Sequence, residues 1–146
     1  MITDQLLKVS TAQTVTATAV STDTIDLSVA RDVGEGQDLF MVFTVDEAVT
    51  AAGAATVDFQ VIGSSAANLS SPVLIGSSGP IGKAALPVGA TVAVRLNAQV
   101  ASLGQRYLGG NYVVATGPLT AGKFTANVVA DIQDGRKSYA SGFSVV

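Results

Sequence analysis

Apolar and polar residues alternate along much of this chain with a period of two. That is the spacing of a strand with one face on a core and the other in water. Over residues 13–20, Thr14, Thr16 and Thr18 fall on one face and Val15, Ala17 and Ala19 on the other. Residues 23–29 bring Ile25, Leu27 and Val29 together. Residues 56–62 set Val57, Phe59 and Val61 against Asp58 and Gln60, and residues 91–97 set Val92, Val94 and Leu96 against Ala93, Arg95 and Asn97. Phe124, Ala126, Val128, Ala130 and Ile132 share a face near the C-terminus. Residues 39–45 are almost wholly apolar, as in a strand covered on both sides.

Turn-forming clusters separate these runs: Gly34-Glu35-Gly36, Gly63-Ser64-Ser65, Gly76-Ser77-Ser78-Gly79-Pro80, Pro87-Val88-Gly89 and Gly117-Pro118. Asp134-Gly135 lies between two strand-like runs and favours the type I′ turn of a hairpin, so residues 125–132 and 138–145 are expected to pair antiparallel. The Ala-rich stretch 47–55 has the composition of a helical turn, but Val49, Thr50 and Gly53 weaken it, and it reads as a loop. Eight or nine short strands follow, the signature of an all-β antiparallel sandwich or barrel. The length suits a single domain over 1–146. Residues 1–13 show no clear strand period, so 1–12 is a candidate N-terminal arm that orders over a neighbouring subunit.

Composition narrows the chemistry. The chain has no His, Cys or Trp, and 13% of its residues are charged. It therefore lacks an imidazole base, a thiolate nucleophile, a disulfide and a thiolate metal site. The apolar residues are mainly Ala and Val, which predicts a thin core of β-branched side chains. The net charge is −3, and Lys8, Arg31, Lys83, Arg95, Arg106, Lys123, Arg136 and Lys137 are scattered, so nucleic acid is not an expected partner. The first eight residues lack the basic and apolar regions of a secretory leader. No apolar run approaches the ~20 residues that span a bilayer, so no membrane association is expected and assembly is placed in a cytoplasm.

The candidate motifs are weak. Ser78-Gly79-Pro80-Ile81-Gly82-Lys83 touches the phosphate-loop pattern, but Ser77 stands where its first glycine belongs and Ala84 where its hydroxyl belongs. It reads as a glycine-rich surface loop. Gly34-Glu35-Gly36 has neither the third glycine nor the helix of a dinucleotide fingerprint. Asp23 with Asp26, and Asp131 with Asp134, are the closest pairs of aspartates, but neither continues into a calcium loop. Serine is abundant without a histidine to activate it. Tyr107, Tyr112, Tyr139 and the phenylalanines could line a carbohydrate platform, though packing or protein contact explains them more simply. No metal, cofactor or enzymatic activity is expected.

Several stretches, in their order along the chain, resemble a known family. They are Ala12-Gln13, Thr16-Ala17-Thr18-Ala19, Ser21-Thr22-Asp23-Thr24-Ile25-Asp26-Leu27 and Asp32-Val33-Gly34-Glu35-Gly36. Further on come Arg106-Tyr107-Leu108-Gly109-Gly110-Asn111-Tyr112, Thr120-Ala121-Gly122-Lys123-Phe124-Thr125-Ala126, Asp131-Ile132-Gln133-Asp134 and Tyr139-Ala140-Ser141-Gly142. Together, over about 12–146, they resemble the small jelly-roll capsid cement, or decoration, proteins of tailed phages. The resemblance implies a jelly roll on the outer surface of a virion that clamps major capsid proteins, forms a homodimer or homotrimer and does no chemistry. A carbohydrate-binding or adhesin-like β-sandwich displayed on a virion is the alternative. Arg106, Tyr107, Leu108, Gly109, Gly110, Tyr112 and Tyr139 are the candidate structural or contact residues. Two tyrosines, an arginine and a glycine pair within 106–112 are dense information in so plain a chain.

Overall fold

In the computed structural model, which describes residues 4–30, 38–96, 105–130 and 132, the chain folds as an antiparallel β-sandwich. Among these residues nine strands form: β1 (Lys8–Thr14), β2 (Ala19–Val20), β3 (Ile25–Asp26), β4 (Phe40–Thr50), β5 (Thr56–Ser64), β6 (Val73–Gly82), β7 (Thr91–Arg95), β8 (Tyr107–Ala115) and β9 (Ala121–Val129). One sheet has the order β1-β9-β4-β7. The other runs β2-β8-β5-β6, with β3 beside β2 on the same edge of β8. The chain changes sheet at β1 to β2, β3 to β4, β4 to β5, β6 to β7, β7 to β8 and β8 to β9. Two interlocked four-stranded sheets with β2 and β3 sharing one strand position make this a jelly roll.

The runs over 56–62, 91–97 and the start of 124–132 become strands as expected, whereas of 23–29 only Ile25–Asp26 does so and Val29 is exposed. Val57, Phe59 and Val61 are fully buried on β5, while Asp58 and Gln60 are half-exposed on its other face. On β7 and just beyond it, Val94 and Leu96 point inward and Ala93 and Arg95 outward. Four rings from four strands occupy the centre: Phe43, Phe59, Tyr112 and Phe124. Phe59 lies 5.1 Å from Phe43, 6.0 Å from Tyr112 and 5.2 Å from Phe124 by ring centroids. The core is therefore aromatic at its middle and aliphatic toward its ends.

Four further expectations change within the described residues. The run 13–20 is not one strand: β1 ends at Thr14 and β2 begins at Ala19, because the chain crosses between sheets there. Leu119 N–H donates to the Thr16 carbonyl at 2.9 Å across this corner. The expected arm over residues 1–12 cannot include residues 8–12. Lys8–Thr14 is an edge strand against β9, with Val9 fully buried. Its period was hidden by a bulge between Ser10 and Gln13, where Ala12 takes φ 44°. The stretch 47–55 is not all loop, since β4 runs to Thr50 and Val49 is buried there. Tertiary pairing with β9 overrides the helical leaning of the alanines.

The glycine-rich stretch 76–80 is also not a loop but part of β6, an edge strand where Pro80 is tolerated. A bulge opposite Asp58–Gln60 holds Gly79 at φ 72°, and the Ser78 hydroxyl accepts the Phe59 N–H at 3.0 Å. Finally, the expected partner of 125–132, residues 138–145, lies outside the described residues.

Candidate functional site

The segment singled out from the sequence, 106–112, enters and fills the first half of β8, an inner strand bonded to β5 on one edge and to β2 and β3 on the other. Leu108, Gly110 and Tyr112 face the core, and Tyr107, Gly109 and Asn111 the outside, by strand alternation. Gly110 lies under the Phe43 ring: a Cβ there would stand 3.2 Å from Phe43 Cε1. Gly109 lies on the outer face, yet is covered. The loop after β5 folds Leu69 back so that a Cβ at 109 would stand 2.4 Å from Leu69 Cδ1 and 2.9 Å from Ser21 Oγ. Each glycine of the pair thus admits a close neighbour on a different face of the sheet. Tyr139 lies outside the described residues.

Tyr112 anchors a polar chain that leads out of the core. Its hydroxyl donates to Ser10 Oγ at 2.9 Å, and Ser10 donates to Gln13 Oε1 at 2.8 Å. Gln13 Nε2 donates to the Val20 carbonyl at 2.8 Å, and its Oε1 accepts the Thr22 N–H at 3.0 Å. The β1 bulge allows Ser10 and Gln13, three residues apart, to meet in this chain. The network ties β1 of one sheet to β2 and β8 of the other. It also explains how a tyrosine can be fully buried: its hydroxyl is hydrogen-bonded.

Burial pushes the Tyr112 phenol up to about 12, against a smaller opposing effect from Ser10. The folded chain therefore keeps this proton at pH values where the unfolded chain has lost it. Stability is present in full below the unfolded value near 10 and falls as pH rises from there toward 12. A shift of about two units corresponds to roughly 2–3 kcal/mol. In thermal melts between pH 9 and 12, Tyr112→Phe should lose less stability over that window than the parent. Parallel curves would show that Tyr112 ionises as freely folded as unfolded.

Arg106, just before β8, fastens β3. Its Nε and Nη2 donate to Asp26 Oδ1 and Oδ2 at 2.6 and 2.7 Å, a two-pronged grip. The guanidinium also lies 5.1 Å from the centroid of the Tyr107 ring, a cation–π contact. The Arg106 bond holds the Asp26 carboxyl below the usual carboxylate range, and Asp26 raises Arg106 in return. Asp26 thus serves as a strand clasp rather than as half of a carboxylate pair with Asp23. Asp131 and Asp134 lie outside the described residues. Asp58 is similarly engaged, accepting from Ser77 at 2.7 Å and from Gln60 at 2.7 Å, and Asn111 extends this polar row by donating to Gln60 at 3.1 Å.

Behind Asp26, on the core side, the sandwich opens into an apolar cleft of about 170 Å³. Ile25, Leu27 and Leu108 form one wall and Leu39, Leu96 and Val128 the other. Neither the clasp nor the cleft was foreseen from the sequence. Asp26 and Arg106 are 80 residues apart, and no local pattern announces their pairing.

Among the described residues no group of three or more His, Cys, Asp or Glu could hold a metal ion, and no helix is long and apolar enough to cross a membrane. Of the described aromatics, Phe40 and Tyr107 are only half-buried, and they lie on opposite sheets. Fold and contacts thus define a jelly-roll sandwich whose most distinctive side chains join its strands. The chain belongs to the Bbp16 family, a phage-related family whose model matches residues 9–128, from the first strand to the last. No curated protein matches it.

Proposed function

We propose that this protein is a capsid cement protein, binding the outside of a phage head and stabilising contacts between major capsid proteins. The observation that carries this reading is the match to a phage-related family across the whole jelly roll. Jelly rolls recur in viral capsid domains, where broad sheet faces pack into shells. The sequence resemblance to capsid cement proteins points the same way. A homodimer or homotrimer on the outer virion surface suits the proposal, because many modest contacts repeated by symmetry sum through multivalency. Leu6, Val29, Leu74 and Val88 are exposed and offer apolar contact points. The net charge of −3 suits a surface facing away from packaged DNA. Four rings, Phe43, Phe59, Tyr112 and Phe124, are buried and so lend the carbohydrate-binding alternative no platform.

A protein that binds the assembled shell in preference to free subunits stabilises that shell by mass action. Heads lacking it are expected to rupture at lower temperature or milder osmotic shock than complete heads, and purified protein added back should restore the threshold. The measurement is DNA release against temperature. Equal thresholds with and without the protein would overturn the cement reading.

A further inference from the structure

The end of the sandwich opposite the cleft is formed by four connections, 15–18, 51–55, 83–90 and 116–120, all within the described residues. Each sends one apolar side chain into the core: Val15, Ala55, Leu86 and Leu119. Lys83 is the one charged residue among the four, and its ammonium donates to the Ala51 carbonyl at 2.6 Å. The remaining positions are Ala, Gly, Pro, Thr and Val, exposed or half-buried. None of the described carboxylates lies in these connections. The charge sits elsewhere: Asp26, Asp38, Arg95 and Arg106 at the cleft end, and Glu47, Asp58 and Lys123 along the strands.

These connections brace one another. Thr120 N–H donates to the Thr50 carbonyl at 2.8 Å, and Lys83 N–H donates to the Ala55 carbonyl at 3.3 Å. The tip of the longest connection is a closed turn, in which Ala90 N–H donates to the Pro87 carbonyl at 3.1 Å. Gly89, at φ 81°, fills the third position, where a type II turn requires a positive φ. Gly89 N–H donates to the Val45 carbonyl at 2.8 Å and Val45 N–H to the Ala90 carbonyl at 2.9 Å, which fixes the turn to β4. Val88, at the second position, is left 65% exposed. A surface braced in this way loses little conformational freedom when it is covered, so more of its contact energy survives as affinity.

Charge selects the occupant. The chain carries a net charge of −3, so two copies repel unless they meet where neither brings carboxylates. Depletion of charge around an apolar centre is also the composition of an interface core. An uncharged end offers nothing to attract a basic or an acidic surface, and its match is the same end of a second copy. We propose that two copies of the chain meet through this end across a two-fold axis, with their Pro87-Val88 turns in the contact. A self-matching patch closes in this way, each copy giving the same surface. The cleft ends, with their charges, are then kept apart. The pairing gives the homodimer of the cement reading its surface, and its test needs no shell, so it can fail while the head-rupture result stands.

The measurement is sedimentation velocity on the purified full-length chain over a range of concentrations. The parent should sediment as a dimer. Val88→Asp puts a carboxylate on each side of the contact and should raise the dimer Kd about a hundredfold or more, since like charges then meet with no counter-charge in reach. Because Val88 is exposed, far-UV circular dichroism should keep its β signal. If that variant unfolds, Ala52→Asp charges the same end at another exposed position. Leu74→Asp, exposed on β6 away from these connections, should leave the dimer intact. Raising the ionic strength to about 1 M, where the Debye length is ~3 Å, should leave the parent Kd within about twofold. A monomeric or trimeric parent would overturn the proposal. So would a dimer that survives both Val88→Asp and Ala52→Asp, one that Leu74→Asp separates, or one that high salt dissociates.

Discussion

Phe59→Ala is expected to cost about 3–5 kcal/mol of folding stability, the usual range for removing a buried aromatic ring from a packed core. Phe59 has no exposed surface, and its ring touches the other three rings of the cluster. Those three come from β4, β8 and β9, so a void at this point removes contacts between the two sheets as well as within one. Neighbouring rings cannot simply close the gap. Phe124 is stacked on Tyr112 at 5.2 Å, and Tyr112 is held in place by its bond to Ser10. Since domains of this size are stable by about 5–15 kcal/mol, the loss is a large share of the total. Urea unfolding should show the midpoint falling with little change in slope. Phe59→Leu, which keeps most of the apolar volume, should lose markedly less. Equal, small losses for both variants would mean that the ring cluster is not the keystone of the core.

Gly76→Ala is the second substitution with a large expected effect. A methyl at this position would stand 2.6 Å from the Arg95 carbonyl oxygen and 2.9 Å from Val94 Cγ1. The first of these is backbone of β7, which is fixed in the opposite sheet by its pairing with β4. Strand β6 must therefore back away from β7, opening the sandwich along that side. Overpacking of this kind costs about 1–3 kcal/mol. Gly82→Ala, on the same strand with nothing within 4 Å of the new methyl, provides the control and should change stability by no more than about 0.5 kcal/mol. Thermal melts of the two variants side by side decide the matter. If they coincide, the close approach of β6 and β7 does not constrain the fold.

Gly76 also shows where sequence reasoning reached its limit. Read locally, Gly76-Ser77-Ser78-Gly79-Pro80 has every mark of a loop. It is a strand because β5 offers it an edge, and because its side chains replace what the ladder loses: Ser78 accepts the Phe59 N–H and Ser77 binds Asp58. Lys8–Thr14 failed as a strand for a related reason. One extra residue at Ala12 breaks the period of two, and only pairing with β9 reveals the bulge. The same bulge brings Ser10 and Gln13 into line with Tyr112. The density of distinctive residues in 106–112 was thus visible in the sequence, while the contacts of Arg106 as a clasp and of Tyr112 as the root of a polar chain were not.

The sequence by itself determined that this is an antiparallel β protein with an inward face at Val57, Phe59 and Val61 and another at Phe124, Ala126 and Val128. Alternation at a period of two has no other stable use in water. It also determined the chemistry the chain lacks, since residue types are absolute. The tertiary structure decided which strands are neighbours, where the chain changes sheet, and which distant residues meet. Asp26 with Arg106, Tyr112 with Ser10 and Gly76 with Arg95 are each fixed by strand order and sheet packing. Such contacts depend on how two twisted sheets are stacked and registered, a property of the whole fold that no window of the sequence contains.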